Sequence, residues 1–220
     1  MKKKRIIKII GIILIIILIF IAIHTIRNTI IISDLQNKAE KYTKSNNYHI
    51  KSINRINENT TLIINQYQKN EKKLVTLERT VDDETVKISY YNTGSRIDMF
   101  TESKDEKIVE LNATNEILGI TSMTPLQTDN LWQTILYALP TRITSIKVND
   151  YKCYSINDFL SPYNLMGEHK NEYDIEKETG LVRKAVLDEQ NVTREYEFEN
   201  VDDSIFIEPD ISQYTLKEND

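Results

Sequence analysis

The first run of the chain is apolar without interruption. Ile9 to Ile23 reads IIGIILIIILIFIAI, fifteen residues with no charge. With Ile6, Ile7 and the stretch to Ile26 it reaches the ~20 residues that cross a bilayer as a helix. Lys8 lies near its edge, where the stem can reach toward headgroups. The run ends in Ala22-Ile23-His24-Thr25-Ile26-Arg27, which lacks the paired small residues of a cleavage site. A lipidation signal would end at a cysteine, and Cys153 is the only one. The expectation is a retained anchor rather than a cleaved signal. Beyond it Ile31/Ile32, Leu35, Ala39 and Tyr42 fall at helical spacing, with Ser33 or Asp34 as caps. This predicts a helix over 33–45 that continues from the membrane or docks on the domain.

From Tyr48 the period changes to two. Val86, Ile88 and Tyr90 alternate with Lys87 and Ser89, and Arg194, Tyr196 and Phe198 alternate with Glu195, Glu197 and Glu199. Tyr173 and Ile175 sit between Glu172, Asp174 and Glu176. Such alternation gives each strand one apolar and one wet face, as in an antiparallel sheet. Turn residues at Asn57-Glu58-Asn59, Asp82-Asp83, Asn92-Thr93-Gly94, Glu178-Thr179-Gly180 and 188–191 divide the runs. Strands are predicted near 48–56, 60–69, 72–81, 85–92, 95–101 and 106–111. A second set is predicted near 142–149, 151–156, 171–176, 181–187 and 193–200.

One helical insertion separates the sets. Thr124-Pro125-Leu126-Gln127 fits a capping box, Leu131, Ile135 and Leu139 repeat every four residues beside Trp132 and Leu136, and Pro140 stops the pattern. The stripe is expected to bury itself against the sheet. The predicted fold is mainly β (α+β), a single curved antiparallel sheet or half-barrel with helices across its concave face, preceded by one transmembrane helix.

Charge adds topology. Lys2, Lys3, Lys4, Arg5 and Lys8 crowd the start, and the first acid is Asp34. Removing those five and Arg27 from 28 basic residues leaves 22 against 33 acidic ones, a net −11 for the body. By the positive-inside rule the amino terminus is expected in the cytoplasm and residues from about 28 outside. An acidic body argues against nucleic-acid binding, which needs clustered cations. A single cysteine excludes a disulfide scaffold.

Reactive constellations are missing from the sequence. It contains no G-x-S-x-G, phosphate-binding loop, H-E-x-x-H or G-x-G-x-x-G. His49 and His169 are the histidines beyond the anchor. Glu168-His169 reads as a solvated loop pair and Cys153 as a small hydrophobe on a strand. Asp82-Asp83-Glu84 and Asp202-Asp203 lack the spaced oxygens of a calcium loop and read as turn chemistry. No catalytic residue, metal or cofactor is expected. The tyrosines suit either a filled sheet core or the rim of a ligand groove. Trp132, Leu136, Tyr90, Tyr196 and Phe198 are the candidate lining of a partner or lipid groove.

The segment Tyr173-Asp174-Ile175-Glu176-Lys177-Glu178-Thr179-Gly180-Leu181-Val182-Arg183-Lys184 resembles the strand, D-x-x-T-G-L, strand hairpin of the lipoprotein-carrier half-barrel family, the LolA/LolB fold. A following strand like Thr193–Phe198 and an ending like Val201-Asp202-Asp203, Phe206, Glu208-Pro209-Asp210 extend the likeness. Within that group the chain is most similar to germination lipoproteins related to GerS of spore-forming Firmicutes. The likeness runs loosely from about Asp34 to Tyr214, with its motifs in 173–210. It implies a curved sheet with helices across its mouth. It also implies a non-enzymatic adaptor for a cell-envelope protein, such as a cell-wall amidase in sporulation or germination. The carrier relatives imply an alternative, an acyl chain held in the concave face. The chain departs from the lipoprotein pattern in lacking a lipidated cysteine after its apolar segment, so the helix must anchor it. The expected organisation is a cytoplasmic basic tail at 1–5, a membrane anchor at 6–27, a juxtamembrane helix at 28–47, a β domain at 48–214 and a tail at 215–220.

Overall fold

The isoleucine-rich run and the helix after it form one unbroken element, α1 (Lys2–Thr43). A computed structural model describes residues 2–113, 123–124, 128, 130–157, 172–187 and 190–217. The helix changes character along its length. Ile6 to Ile23 stand out from the protein, whereas Ile32, Leu35 and Ala39 are at most 1% exposed. The spacing of Asn28, Ile32, Leu35 and Ala39 keeps one stripe of the cylinder toward the domain. The segment predicted as a helix over 33–45 is continuous with the apolar run and also docks on the sheet.

Among the described residues, twelve strands form one curved, open sheet in the order β12-β6-β5-β4-β3-β2-β1-β11-β10-β9-β8-β7. The first meander is β1 (Asn47–Asn57), β2 (Thr60–Lys69), β3 (Lys72–Val81), β4 (Glu84–Asn92), β5 (Ile97–Glu102) and β6 (Lys107–Glu110). The second is β7 (Arg142–Val148), β8 (Tyr151–Asn157), β9 (Glu172–Glu176), β10 (Val182–Leu187) and β11 (Gln190–Phe198). The turn between β3 and β4 has Asp82 at φ 46 and Asp83 at φ 69, the left-handed pair that a tight hairpin requires. β1 and β11 join the two meanders. Across that seam Ile50 faces Tyr196 and Tyr48 faces Phe198 on one side, and Lys51 faces Glu195 and His49 faces Glu197 on the other. Apolar and opposite-charge pairs therefore both favour this register over a slip of one residue.

Each sheet face has its own cover. α1 lies over the second meander and the seam, in a core of Ile32, Leu35, Ile143, Ile156, Ile175 and Val182. On the opposite face the carboxy-terminal segment covers the first meander. Val201, Ile205 and Phe206 pack on Leu74, Tyr67 and Tyr91, and Tyr214 stands edge-on to Phe100 at 5.1 Å. Arg96 ties that segment down by bonding both Asp98 (2.7 Å) and Glu208 (2.9 Å). Asp98, fully buried, also accepts the Asn112 N–H at 3.0 Å. Thr215–Leu216 then forms β12, parallel to β6, so the sheet takes in the first two residues of the expected tail.

The inserted helix differs from expectation. α2 covers Leu131–Ala138, and its N-cap is Asn130, whose side chain accepts the Gln133 N–H. The capping box proposed at 124–127 begins six residues too early, and 125–127 lie outside the described residues. The buried face is also another one. Thr134 and Ala138 point inward, while Leu131, Trp132, Leu136 and Leu139 are 47–69% exposed. α1 already occupies the sheet at this end, so α2 packs on α1 through its small residues.

Candidate functional site

The helix-bearing face of the sheet holds a cross-strand row that the register fixes. Tyr90 pairs with Val75, Val75 with Gln66, Gln66 with Ile50, and Ile50 with Tyr196. Tyr90, Tyr196 and, two residues on, Phe198 therefore share one face, as a groove or a core would need. Tyr90 and Val75 are buried. Tyr196 donates its phenol to the Val182 carbonyl at 2.8 Å, and burial pushes its ionisation upward, so it stays a neutral donor. Phe198 packs against Tyr42 of α1 with ring centroids 4.7 Å apart. Gln66 donates to the Tyr48 oxygen, which donates to Gln68, both at 2.8 Å, satisfying the polar atoms buried in the row. Trp132 and Leu136 are elsewhere, on the outer face of α2.

The hairpin between β9 and β10 explains its T-G-L sequence in physical terms. Thr179 donates to Glu176 at 2.7 Å, and Arg183 bonds the same carboxylate through Nε (2.9 Å) and Nη2 (2.7 Å). Both charged side chains are at most 10% exposed, and the guanidinium lies 3.9 Å over the Tyr151 ring. Pairing, a hydroxyl and an aromatic face together compensate the burial of this ion pair. Gly180 sits at φ 73, and a Cβ there would fall 2.1 Å from the Leu35 carbonyl of α1. Leu181 is fully buried, and Lys38 of α1 donates to the Lys177 carbonyl at 2.8 Å. The motif is thus a seat for the helix.

α1 and α2 meet through two polar residues that the sequence reading did not single out. Asn28 donates to the Thr141 carbonyl (2.6 Å) and the Ala138 carbonyl (3.2 Å), and His24 Nε2 lies 3.1 Å from the Thr141 carbonyl. The Ala138 carbonyl at the end of α2 and the Thr141 carbonyl just beyond it are thus satisfied by side chains of α1. At the other end Gln36 donates to Thr128 at 2.8 Å, so the two helices run antiparallel. A signal was available: His24 and Asn28 continue the four-residue spacing to Ile32.

The reactive side chains have structural surroundings. His49 lies on the face opposite α1, stacked on Tyr67 at 4.1 Å and bridging Glu197 (3.3 Å) and Asn65 (3.2 Å). Glu168 and His169 lie outside the described residues. Asp202 caps a helical turn at the Ser204 N–H, and Asp203 pairs with Lys69 at 2.7 Å and Lys72 at 3.4 Å. Cys153 is fully buried, and burial with nearby Asp174 and Glu176 pushes its thiol up to about 11. Only a minute fraction is thiolate at neutral pH, and thiolate is the reactive form. Iodoacetamide should therefore leave Cys153 unmodified at pH 7.5 in the folded protein and label it fully in denaturant. Rapid labelling of the folded protein, followed by intact mass, would contradict this burial.

No family model and no curated protein matches the chain. Among solved structures, MucB overlaps it with a TM-score of 0.39 and 9% identity, covering 80% of this chain, and the match spans 62% of the MucB chain. A DUF1329 family protein from Desulfovibrio piger overlaps with a TM-score of 0.31 and 11% identity, covering 79% of this chain and 95% of its own. Within α1, Ile6–Thr43 is long and apolar enough to cross a membrane.

Proposed function

We propose that the chain is a membrane-anchored adaptor whose β domain faces outward from the cytoplasm and binds a protein of the cell envelope. The amino terminus with its five cations lies inside, and α1 carries the domain directly on the membrane. The observation that carries this reading is the occupation of the sheet face by α1. Ile32, Leu35 and Ala39, at most 1% exposed, fill the space over the second meander and the seam that an acyl chain would use in a carrier. A domain rigidly continuous with its anchor also suits local binding, because confinement to a surface raises the effective concentration of a partner there.

The part of this face left to a partner is the next cross-strand row. Ile64, Leu77 and Ile88 stand side by side in register and are half-buried. The resemblance to GerS-related proteins makes a cell-wall amidase of sporulation or germination the first partner to test. The same apolar row favours a second reading, a lipid or lipoprotein carrier that holds its ligand on this part of the face. A photo-crosslinking residue at Leu77, activated in native membranes, distinguishes them. The adaptor reading expects a discrete protein adduct. Lipid adducts alone, with an acyl ligand retained by the detergent-solubilised protein in native mass spectrometry, would replace it with the carrier reading.

A further inference from the structure

We propose that the outward face of α2 rests in the headgroup region of the bilayer, making a second membrane contact that fixes the domain's tilt. This rests on the reading of α1 as a membrane span. The exposed apolar surface of α1 does not end with the charge-free run. Ile26 and Ile30 are 60% and 64% exposed. From Ile6 to Ile30 the helix rises roughly 37 Å at 1.5 Å per residue, some ~7 Å more than a typical hydrocarbon core. The outer end of that stretch, Ile26 to Ile30, lies where α2 is attached through Asn28. Asn28 holds the Ala138 carbonyl that ends α2 and, with His24, the Thr141 carbonyl just beyond it, so Leu139 and Leu136 sit beside the upper end of the span and Trp132 lies farther out.

The chemistry of α2 follows the same gradient. Its sequence, LWQTILYA, has no charge, and the residues it turns away from the protein are largely apolar. Leucines nearer the span and a tryptophan above them match the order of acyl chains and headgroups, where Trp is enriched at the interface. Arg27 of α1 and Arg142, the residue after Thr141, are both exposed at this level, where cations meet lipid phosphates. The continuity of this apolar surface with that of the span singles out lipid as the occupant. A soluble protein partner would have to reach a site at the membrane surface.

Trp132 is the only tryptophan in the chain and reports on the contact without labels. The full chain is reconstituted in phosphatidylcholine/phosphatidylglycerol vesicles, and flotation after alkaline carbonate treatment is scored beside fluorescence. The proposal expects floating protein whose Trp132 emission is blue-shifted, shielded from acrylamide and quenched when the lipids carry bromine near the glycerol end of the acyl chains. Leu136→Asp with Leu139→Asp, both at exposed positions, should shift the emission to the red and reduce the bromine quenching while flotation persists. Floating protein with a water-like Trp132, or with a Trp132 shielded from acrylamide yet untouched by bromine, overturns the α2 contact and leaves the anchor standing. Protein that stays in the carbonate supernatant overturns both.

Discussion

Gly180→Ala is expected to destabilise the domain by about 2–5 kcal/mol, combining roughly 1–2 for a side chain at left-handed φ with roughly 1–3 for overpacking. The second term arises because the new methyl would meet backbone. Its Cβ would lie 2.1 Å from the Leu35 carbonyl and 2.9 Å from the Ala39 nitrogen, so α1 must move away from the sheet. No rotamer change relieves such a contact. The loss is a large share of the 5–15 kcal/mol that holds a typical domain. Urea unfolding of the full chain in mild detergent, followed by far-ultraviolet circular dichroism, measures it. A variant with unchanged midpoint would mean that α1 is not seated on the β9–β10 turn, and the filled face would lose its main support.

Leu35→Ala should cost about 2–5 kcal/mol in the same assay, as buried leucines do when a cavity is left behind. Leu35 is fully buried between α1 and the strands of the second meander. Leu18→Ala supplies the contrast within the same helix. Leu18 is 64% exposed in the apolar run, and its truncation should leave domain stability within about 0.5 kcal/mol. Equal effects of the two substitutions would contradict the division of α1 into an exposed apolar half and a core half. Loss of stability from Leu35→Ala alone is what a helix built into the sheet requires.

Strand boundaries were legible because their cause is local. Alternation in Val86 to Tyr90 and Arg194 to Phe198 depends only on one face being dry, and the hairpin turns carry Asp, Asn or Gly. The eleven strands β1 to β11 lie within a few residues of their predicted limits, and β12 was too short to show a period. The α2 stripe misled for a related reason. Periodicity shows that a helix has an apolar face, but the surroundings decide whether protein or another apolar phase covers it. Here Thr134 and Ala138 were the better fit against α1, since small residues allow close approach, and the large residues were left outside. For the candidate groove, the sequence placed Tyr90, Tyr196 and Phe198 on apolar strand faces. Only the β1–β11 pairing made those faces one.

By itself the chain dictated a greasy amino-terminal helix, an acidic body and two runs of amphipathic strands, because each follows from the chemistry of neighbouring residues. Joining of the two meanders through strands separated by more than a hundred residues, and the choice of which element fills the shared face, depended on packing among distant segments. Gly180 illustrates the difference. As a letter it marks a turn, and only the backbone of α1 passing over it explains why no side chain fits there.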